Sequence, residues 1–161
     1  MHRKELYEIV KFVIKSLSFK TALGWITATE KNKKLLSVKF GKKTNVGKSI
    51  FLTKVRKQIF KYSSGKLKKF NIYISMEGSI LQKNIWRELQ KISYGKTKTY
   101  SEIAKKLNTS PRYVGKVCGQ NNHLLIIPCH RVVRSDGTLG GFSGLGGIIL
   151  KDKLIKMENS E

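Results

Sequence analysis

Residues 99–118 read TYSEIAKKLNTSPRYVGKVC and contain the start signals of two short helices. Thr99 is followed three residues later by Glu102, the capping-box pattern in which each side chain bonds the other residue's backbone N–H. Ser110 is a good N-cap, and Pro111 suits the first helical position. Two short helices around a tight turn indicate a helix-turn-helix, whose second helix enters a DNA groove. An ordinary corner between two helices is the alternative that this stretch leaves open.

Helical patterns flank this stretch on both sides. Upstream, a helix is predicted to end before Gly95, on the apolar spacing of Leu81, Ile85, Trp86, Leu89 and Ile92. Downstream, glycines cluster between residues 137 and 147, and such a loop can approach a ligand closely. A closing helix is predicted from Ile148 to Met157, with Glu158 near its end. The C-terminal half is therefore predicted to be mostly helical.

The N-terminal half mixes helical and strand patterns. The predicted elements are an amphipathic helix from Leu6 to Leu17, strands at residues 25–29 and 35–40, a helix over residues 51–60 and a strand over residues 70–74. Residues 75–79 have the composition of a linker. We therefore expect a small α/β domain over residues 1–77 and a second domain over residues 78–161.

The chain is strongly basic, with a formal net charge of +23 and a pI of about 10.2. Such an excess favours a polyanionic partner, either a nucleic acid or an anionic membrane surface. A lysine-rich surface that is merely solvated is the alternative. The first half of the chain carries more of the charge than the second, so charge alone does not locate the binding face.

Cysteine usage and hydropathy indicate the compartment. Cys118 and Cys129 are the two cysteines of the chain, too few for a disulfide framework and without the spacing of a zinc site. No apolar stretch has the length of a signal peptide or a membrane span. We therefore expect a cytoplasmic protein without a metal. Cys118 is predicted to be a core thiol, and His123 a solvent-facing loop residue.

Residues 128–133, Pro-Cys-His-Arg-Val-Val, place a thiol beside an imidazole. A thiolate is a strong nucleophile, and an imidazole network can take its proton. Neighbours in an extended segment point to opposite faces, so a water between Cys129 and His130 is easier than a direct bond. The candidate carboxylates behind the imidazole are Glu158, which is the best placed, Asp136 and Asp152. A buried structural cysteine beside a surface histidine is the other interpretation.

Together these pieces resemble one family. The run Ile126–Val133 is similar to the active-site motif of the 6-O-alkylguanine-DNA alkyltransferases, the methylated-DNA–protein-cysteine methyltransferases. The resemblance is strong over residues 79–161 and weak over residues 19–76, where the hairpin at residues 23–27 carries it. The further matching positions are Ile85, Trp86, Gly95, Lys96, Thr99, Tyr100, Asn121, Gly140, Ser143, Gly144 and Glu158.

The resemblance implies a single-use alkyl acceptor. In this family a cysteine thiolate attacks the alkyl carbon on the guanine oxygen, so Cys129 is the expected acceptor. His130 is expected to take the thiol proton through a water, and Glu158 to orient His130. Asn121 is expected to brace the turn. Tyr100 is expected to help rotate the nucleotide out of the duplex and to donate a proton toward the departing guanine.

The resemblance also implies a DNA-binding face and a base pocket. Arg112 is expected to fill the gap left by the flipped base, and small residues on the recognition helix to allow close approach to the minor groove. The expected DNA contacts are Arg112, Ser110, Tyr113, Gly115, Gly119, Ser101 and Ser135. The expected pocket residues are Tyr100, Phe142, Ser143, Gly144, Gly140 and Leu124. At Phe142 many members have Tyr, and at Tyr113 a small residue is usual.

The expected fold is a ribonuclease-H-like α/β domain, a small sheet plus helices, followed by a mostly α, winged-helix-like domain with the helix-turn-helix. The expected partner of this monomer is double-stranded DNA containing 6-O-alkylguanine or 4-O-alkylthymine, without a cofactor. Three alternatives are a non-catalytic lesion-binding protein on the same fold, a Cys-His hydrolase and a transcription regulator. The first typically has Trp where this chain has Cys129, and the second lacks an evident oxyanion hole.

Overall fold

The computed structural model describes residues 2–5, 13–142 and 146–160. The chain divides into two compact units, residues 1–75 and residues 76–161. In the described ranges, no helix has the length and the apolar character that crossing a bilayer requires.

The first unit contains a three-stranded antiparallel sheet in the order β1-β2-β3. The strands are β1 (Lys15–Thr21), β2 (Gly24–Lys31) and β3 (Lys34–Phe40). Between β2 and β3, Asn32 and Lys33 both have positive φ, 53° and 59°. Positive φ at both central residues is the geometry of the two-residue turn that matches the twist of a hairpin. The two strands predicted here are confirmed.

One helix covers this sheet. Helix α1 (Ile50–Ser63) begins at Ser49, whose side chain accepts a hydrogen bond from the backbone N–H of Leu52. Its buried residues recur every three or four positions and form one face. They are Leu52, Val55, Ile59 and Tyr62, followed by Ser63 at the end of the helix. This face packs on β1 and β2, where Ile26 and Ala28 are fully buried.

Two predicted elements of the first unit differ in the structure. Leu17 lies in β1 and pairs with Ala28, not in a helix. Hydroxyl groups bond across the two strands, Ser16 to Thr29 at 3.0 Å and Ser18 to Thr27 at 2.7 Å. These cross-strand bonds stabilise the strand pairing and favour it over the helix that the apolar spacing predicted. Residues 6–12 of the predicted helix lie outside the described residues.

The second difference is the strand predicted over residues 70–74. The structure has a single parallel bridge there, between Ile74 and Leu35. Leu35 donates its N–H to the carbonyl of Tyr73, at 2.8 Å, and accepts from the N–H of Ser75, at 2.9 Å. The segment therefore pairs with β3 through one residue, and a single bridge stands where the apolar alternation predicted a strand.

The second unit is mostly helical. Its elements are α2 (Ile80–Gln90), β4 (Lys98–Thr99), α3 (Tyr100–Lys106), α4 (Pro111–Gly119), a 3-10 helix (Cys129–Arg131), β5 (Val132–Val133) and α5 (Gly147–Asn159). The capping box predicted at Thr99 and Glu102 is present, and so is the cap by Ser110 with Pro111 in the first turn. Both predicted short helices are therefore confirmed.

Three contacts hold this unit around its core. The indole N–H of Trp86 on α2 donates to the carbonyl of Val117 on α4, at 3.1 Å. Helices α3 and α4 pack against each other across their turn. Strands β4 and β5 pair in parallel, with Thr99 opposite Val133. This pairing places the first residue of α3, Tyr100, next to the segment that follows the 3-10 helix.

Candidate active site

A cavity of about 730 Å³ opens in the second unit. Its walls are the first turns of α3, one face of α4, the start of the 3-10 helix, the segment after β5 and the glycine loop. The described lining residues are Tyr100, Ser101, Pro111, Arg112, Gly115, Cys118, Gly119, Cys129, Arg134, Ser135, Gly140, Gly141 and Phe142. A space of this volume accommodates a molecule the size of a nucleobase with a substituent.

Cys129 begins the 3-10 helix on the wall of this cavity and is only 4% exposed. The side-chain amide of Asn121 donates to its Sγ at 3.2 Å and to the carbonyl of Ile127 at 2.8 Å. Burial raises the pKa of the Cys129 thiol, against the lowering effect of the Asn121 bond and of the Lys151 charge. The resting thiol is therefore protonated at neutral pH and needs a base to become a nucleophile.

His130 and Glu158 form a buried pair behind the thiol. The His130 Nε2 and the Glu158 Oε1 lie 2.8 Å apart, and both side chains are almost completely enclosed. Burial lowers the pKa of His130, and Glu158 opposes that shift. An ionised carboxylate only accepts hydrogen bonds, so Nε2 carries the proton and Nδ1 is the basic nitrogen. The imidazole is therefore neutral and able to take a proton.

Arg131 completes this buried network. Its Nε lies 2.9 Å from Oε2 of Glu158, and its Nη2 lies 2.8 Å from Oε1, which is a two-pronged pairing. Its Nη1 donates to the carbonyl of Ile92 at 2.6 Å. The guanidinium balances the carboxylate charge inside the protein and fixes the orientation of Glu158 toward His130.

Tyr100, on the cavity wall, is bonded to Lys151 on the side of the glycine loop. The Lys151 Nζ donates to the Tyr100 hydroxyl oxygen at 3.2 Å and to the carbonyl of Gly141 at 3.1 Å. Burial raises the pKa of Tyr100 to about 12, and burial lowers the pKa of Lys151 to about 8. At neutral pH, Tyr100 is therefore a protonated donor beside an ammonium group.

The comparisons with known proteins agree with this geometry. Residues 80–160 match the family model described as 6-O-methylguanine DNA methyltransferase, DNA binding domain. The methylated-DNA–protein-cysteine methyltransferase of Sulfolobus acidocaldarius is 37% identical over 143 residues, covering 87% of this chain and 90% of the relative. The protein of that name from Methanosarcina acetivorans is 38% identical over 112 residues, covering 68% and 70%. The chain belongs to the 6-O-methylguanine DNA methyltransferase family.

A solved structure extends the family likeness to three dimensions. The crystal structure of Mycobacterium tuberculosis OGT in complex with DNA superposes with a TM-score of 0.78 at 28% identity, covering 89% of this chain and 92% of that one. A small antiparallel sheet plus helices is therefore the architecture that this methyltransferase family member shares with its structural relative.

The structure of this methyltransferase family member brings most of the expected site residues to one place. Those on the cavity wall are Tyr100, Ser101, Arg112, Gly115, Gly119, Cys129, Ser135, Gly140 and Phe142. Behind Cys129 lie Asn121, His130 and Glu158. Ser143 and Gly144 are outside the described residues.

Three expected contacts lie elsewhere. Leu124, expected in the base pocket, is buried and is not among the described residues that line the cavity. Ser110 and Tyr113, both expected to contact DNA, are also not among the described residues that line the cavity. The hydroxyl oxygen of Ser110 accepts a hydrogen bond from the N–H of Tyr113, at 3.1 Å, as the cap of α4. Their expected contacts with DNA stay predictions.

Other expectations need correction. His123 is buried, not solvent-facing, because the turn after α4 folds inward and its N–H donates to Asn121 Oδ1 at 2.8 Å. Cys118 is buried as predicted, but it also lines the cavity, and burial raises its pKa to about 12. The competing carboxylates are engaged elsewhere: Asp136 bonds Thr138 in its own loop, and Asp152 pairs with Lys156.

Sequence reasoning missed Lys151 and the pairing of Arg131 with Glu158. A signal for Lys151 was available, because its spacing places it on the same helix face as Leu150 and Leu154, and all three are buried. Lysine is rarely buried without a partner, so a lysine on that face indicates that one is present. The partner of Arg131 comes from another element, which no local pattern identifies.

Gly140→Ala is expected to damage both the fold and the site. Gly140 has φ of +72°, and an added Cβ would lie 2.9 Å from the Tyr100 hydroxyl oxygen and 3.0 Å from its ring. Positive φ alone costs a non-glycine residue about 1–2 kcal/mol. We expect a lower free energy of unfolding and a slower reaction, because Tyr100 must move. Chemical denaturation and single-turnover kinetics measure the two effects.

Gly137→Ala is the matched control. Gly137 also has a positive φ, +85°, but an added Cβ there meets nothing within 4 Å. We expect a similar backbone cost without loss of reaction rate. Equal rates for Gly140→Ala and Gly137→Ala would contradict the importance of the Tyr100 position.

Proposed function

We propose that this protein repairs DNA by direct reversal, transferring the alkyl group of 6-O-alkylguanine in duplex DNA to the sulfur of Cys129. The observation that carries the proposal is the position of Cys129 on the wall of a base-sized cavity, with a buried base and carboxylate behind it. Membership in a family whose members are named for this transfer supports it. The thioether product has no simple route back, so each molecule acts once.

The proposed step balances as a displacement at carbon. The bond from the Cys129 sulfur to the alkyl carbon forms, and the bond from that carbon to the guanine oxygen breaks. The electron pair of the broken bond stays on guanine, which takes a proton from Tyr100. The thiol proton passes, through a water, to the basic nitrogen of His130, whose other nitrogen is bound to Glu158.

The proposed DNA-binding face surrounds the cavity mouth. A stacked base hides its alkyl group from a buried thiol, so the nucleotide has to be rotated out of the duplex. Arg112 at the start of α4 is exposed and lines the cavity, in a position to enter the vacated stack. Gly115 and Gly119 on the same wall have no side chain to block the groove. Arg134 adds positive charge beside them.

We propose that the pocket also accepts 4-O-alkylthymine, which carries its alkyl group on a comparable exocyclic oxygen.

The assignment of residues 1–77 to a ribonuclease-H-like domain and of residues 78–161 to a winged-helix-like domain stays a prediction. A monomeric state and a cytoplasmic location are likewise predictions.

Duplex DNA with a radiolabelled 6-O-methylguanine tests the proposal. We expect one equivalent of label per protein, in the tryptic peptide bounded by Lys116 and Arg131. That peptide contains both Cys118 and Cys129, so fragmentation within it has to assign the sulfur. Cys118→Ser is the control and should still take the label. Lesion binding without transfer would identify a non-catalytic lesion binder, and label on Cys118 would refute the assigned acceptor.

A further inference from the structure

Lys151 is a cation at a position where cations are rarely found. Its side chain is fully buried in α5, with 0% exposed. Removing an ammonium group from water is costly, so a lysine at such a place is usually held by strong partners or retained for a function. The two acceptors within hydrogen-bond distance, in the part of the chain that the structure describes, are the neutral oxygens of Tyr100 and Gly141.

The direction of the Tyr100 bond has a consequence. An ammonium group has three donors and no acceptor, so the Tyr100 oxygen must accept from Lys151. The proton of the Tyr100 hydroxyl is then free to point elsewhere, and Tyr100 borders the cavity. The bond to the carbonyl of Gly141 fixes the lysine from the other side, so the cation cannot turn away from the tyrosine.

We propose that Lys151 is a positioning residue for the transfer, which holds the Tyr100 hydroxyl as a donor toward the flipped base and supports the negative charge that Tyr100 acquires when its proton leaves. This inference rests on the proposed function. Without the cation, the half-buried phenol, whose pKa burial raises to about 12, has little tendency to give up a proton. With it, the developing phenolate lies at hydrogen-bond distance from a full positive charge.

The groups around Lys151 determine the pH range in which its ammonium form can support Tyr100. The titratable and charged groups that face it are Tyr100 at the start of α3, Cys118 on α4, Cys129 in the 3-10 helix and Arg134 after β5. Burial, with a smaller contribution from the Arg134 charge, lowers the pKa of Lys151 to about 8, and a thiolate at Cys129 or Cys118 would oppose that shift. The ammonium form is therefore present below about pH 8 and is lost above it. The contribution of Lys151 should disappear in the same range.

A purely structural role for Lys151 makes different predictions. A lysine that only ties the glycine loop through Gly141 would affect the reaction whether or not Tyr100 had a hydroxyl. A lysine that acts through Tyr100 has nothing to act on when that hydroxyl is removed. A double-mutant cycle with Tyr100→Phe separates the two roles.

The experiment measures single-turnover rate constants and lesion affinity on duplex DNA containing 6-O-methylguanine, with wild type, Lys151→Met, Lys151→Arg, Tyr100→Phe and the double variant Lys151→Met/Tyr100→Phe. We expect Lys151→Met to slow transfer at least about tenfold, in line with the loss of a hydrogen bond to a charged group. In the Tyr100→Phe background the same change should cost less than about twofold, since coupled residues are not additive. Lesion affinity should change little, and Lys151→Arg should keep part of the rate.

The pH profile is the second readout. The ratio of the wild-type rate to the Lys151→Met rate should fall toward one as the pH rises through about 8, because the wild type then loses the ammonium too. Independent losses from the two single variants, or a ratio that does not change with pH, would overturn the inference.

A third readout needs no Lys151 variant, in case Lys151→Met fails to fold. The ratio of the wild-type rate to the Tyr100→Phe rate should also fall above about pH 8, and a constant ratio would overturn the inference. Failure of the proposed function would look different. Wild-type protein would then take no label on Cys129 at any pH.

Discussion

Cys129→Ala is expected to abolish alkyl transfer while the variant still binds duplex DNA carrying 6-O-methylguanine. The substitution removes the sulfur that accepts the alkyl group and leaves the cavity walls and the exposed Arg112 in place. The fold should tolerate the change, because the amide of Asn121 keeps its bond to the carbonyl of Ile127 when the sulfur is absent. Product analysis after long incubation and a binding titration measure the two properties.

Cys118→Ala is the matched control, since Cys118 is the other buried thiol on the same cavity wall. We expect it to transfer the alkyl group with the stoichiometry of the wild type. Residual transfer by Cys129→Ala would show that another nucleophile accepts the group. Loss of lesion binding by Cys129→Ala, with the fold intact, would show that recognition depends on the thiol itself.

Glu158→Gln is expected to slow transfer by roughly 10²–10⁴, by analogy with the loss of the orienting carboxylate from a catalytic triad. Glu158 accepts hydrogen bonds from His130 and from the fork of Arg131. An amide has one acceptor oxygen for these donors and no charge. His130 therefore loses both the group that selects its tautomer and the charge that stabilises its protonated form.

The same variant should be markedly less stable. Removing one member of a buried ion pair leaves the other charge uncompensated, which costs about 3–5 kcal/mol in typical cases. Arg131 is that charge here, because its guanidinium is buried with Glu158. Urea denaturation of the unreacted protein gives the free energy of unfolding. Transfer rates are compared without denaturant, and a lesion-binding titration gives the concentration of folded protein for each variant.

Glu88→Gln distinguishes a site effect from a stability effect. Glu88 is also a buried glutamate, and it pairs with Lys91 and Lys106 away from the described lining of the cavity. We expect this variant to lose stability and to keep its transfer rate per folded molecule. If Glu158→Gln reacted as fast as Glu88→Gln once folded, the role of the carboxylate in orienting His130 would be wrong.

Local sequence patterns predicted the helices of the second unit well. The caps at Thr99 and Ser110 each bond a backbone N–H three residues later, so the residues that predict the start of each helix are the ones that form it. The family resemblance, carried by residues 126–133 and by the downstream match at Glu158, predicted that Cys129, His130 and Glu158 would lie together. The cavity and the 2.8 Å approach of His130 to Glu158 agree with that expectation.

What the sequence could not predict depends on distant partners. The apolar spacing around Leu17 suits a helix, but its hydroxyl neighbours pair across strands, and only the register with β2 decides between the two. Arg131 and Lys151 are charged residues whose partners lie on other elements. The helix face of Lys151 could be predicted from its spacing, but the partners of both residues are set by the assembled unit, and no window along the chain contains them.

Helix α5 holds both ends of the site. Lys151 and Glu158 lie two turns apart on one buried face of it, the first against Tyr100 and the second against His130. A single local opening of this helix would therefore separate Lys151 from Tyr100, the proton donor, and Glu158 from His130, the base, at the same time. The slowest amide protons of α5, followed by hydrogen exchange, should report the fraction of time in which the protein is competent to react. Denaturant concentrations that raise their exchange should lower repair in step, while the rest of the fold is still protected.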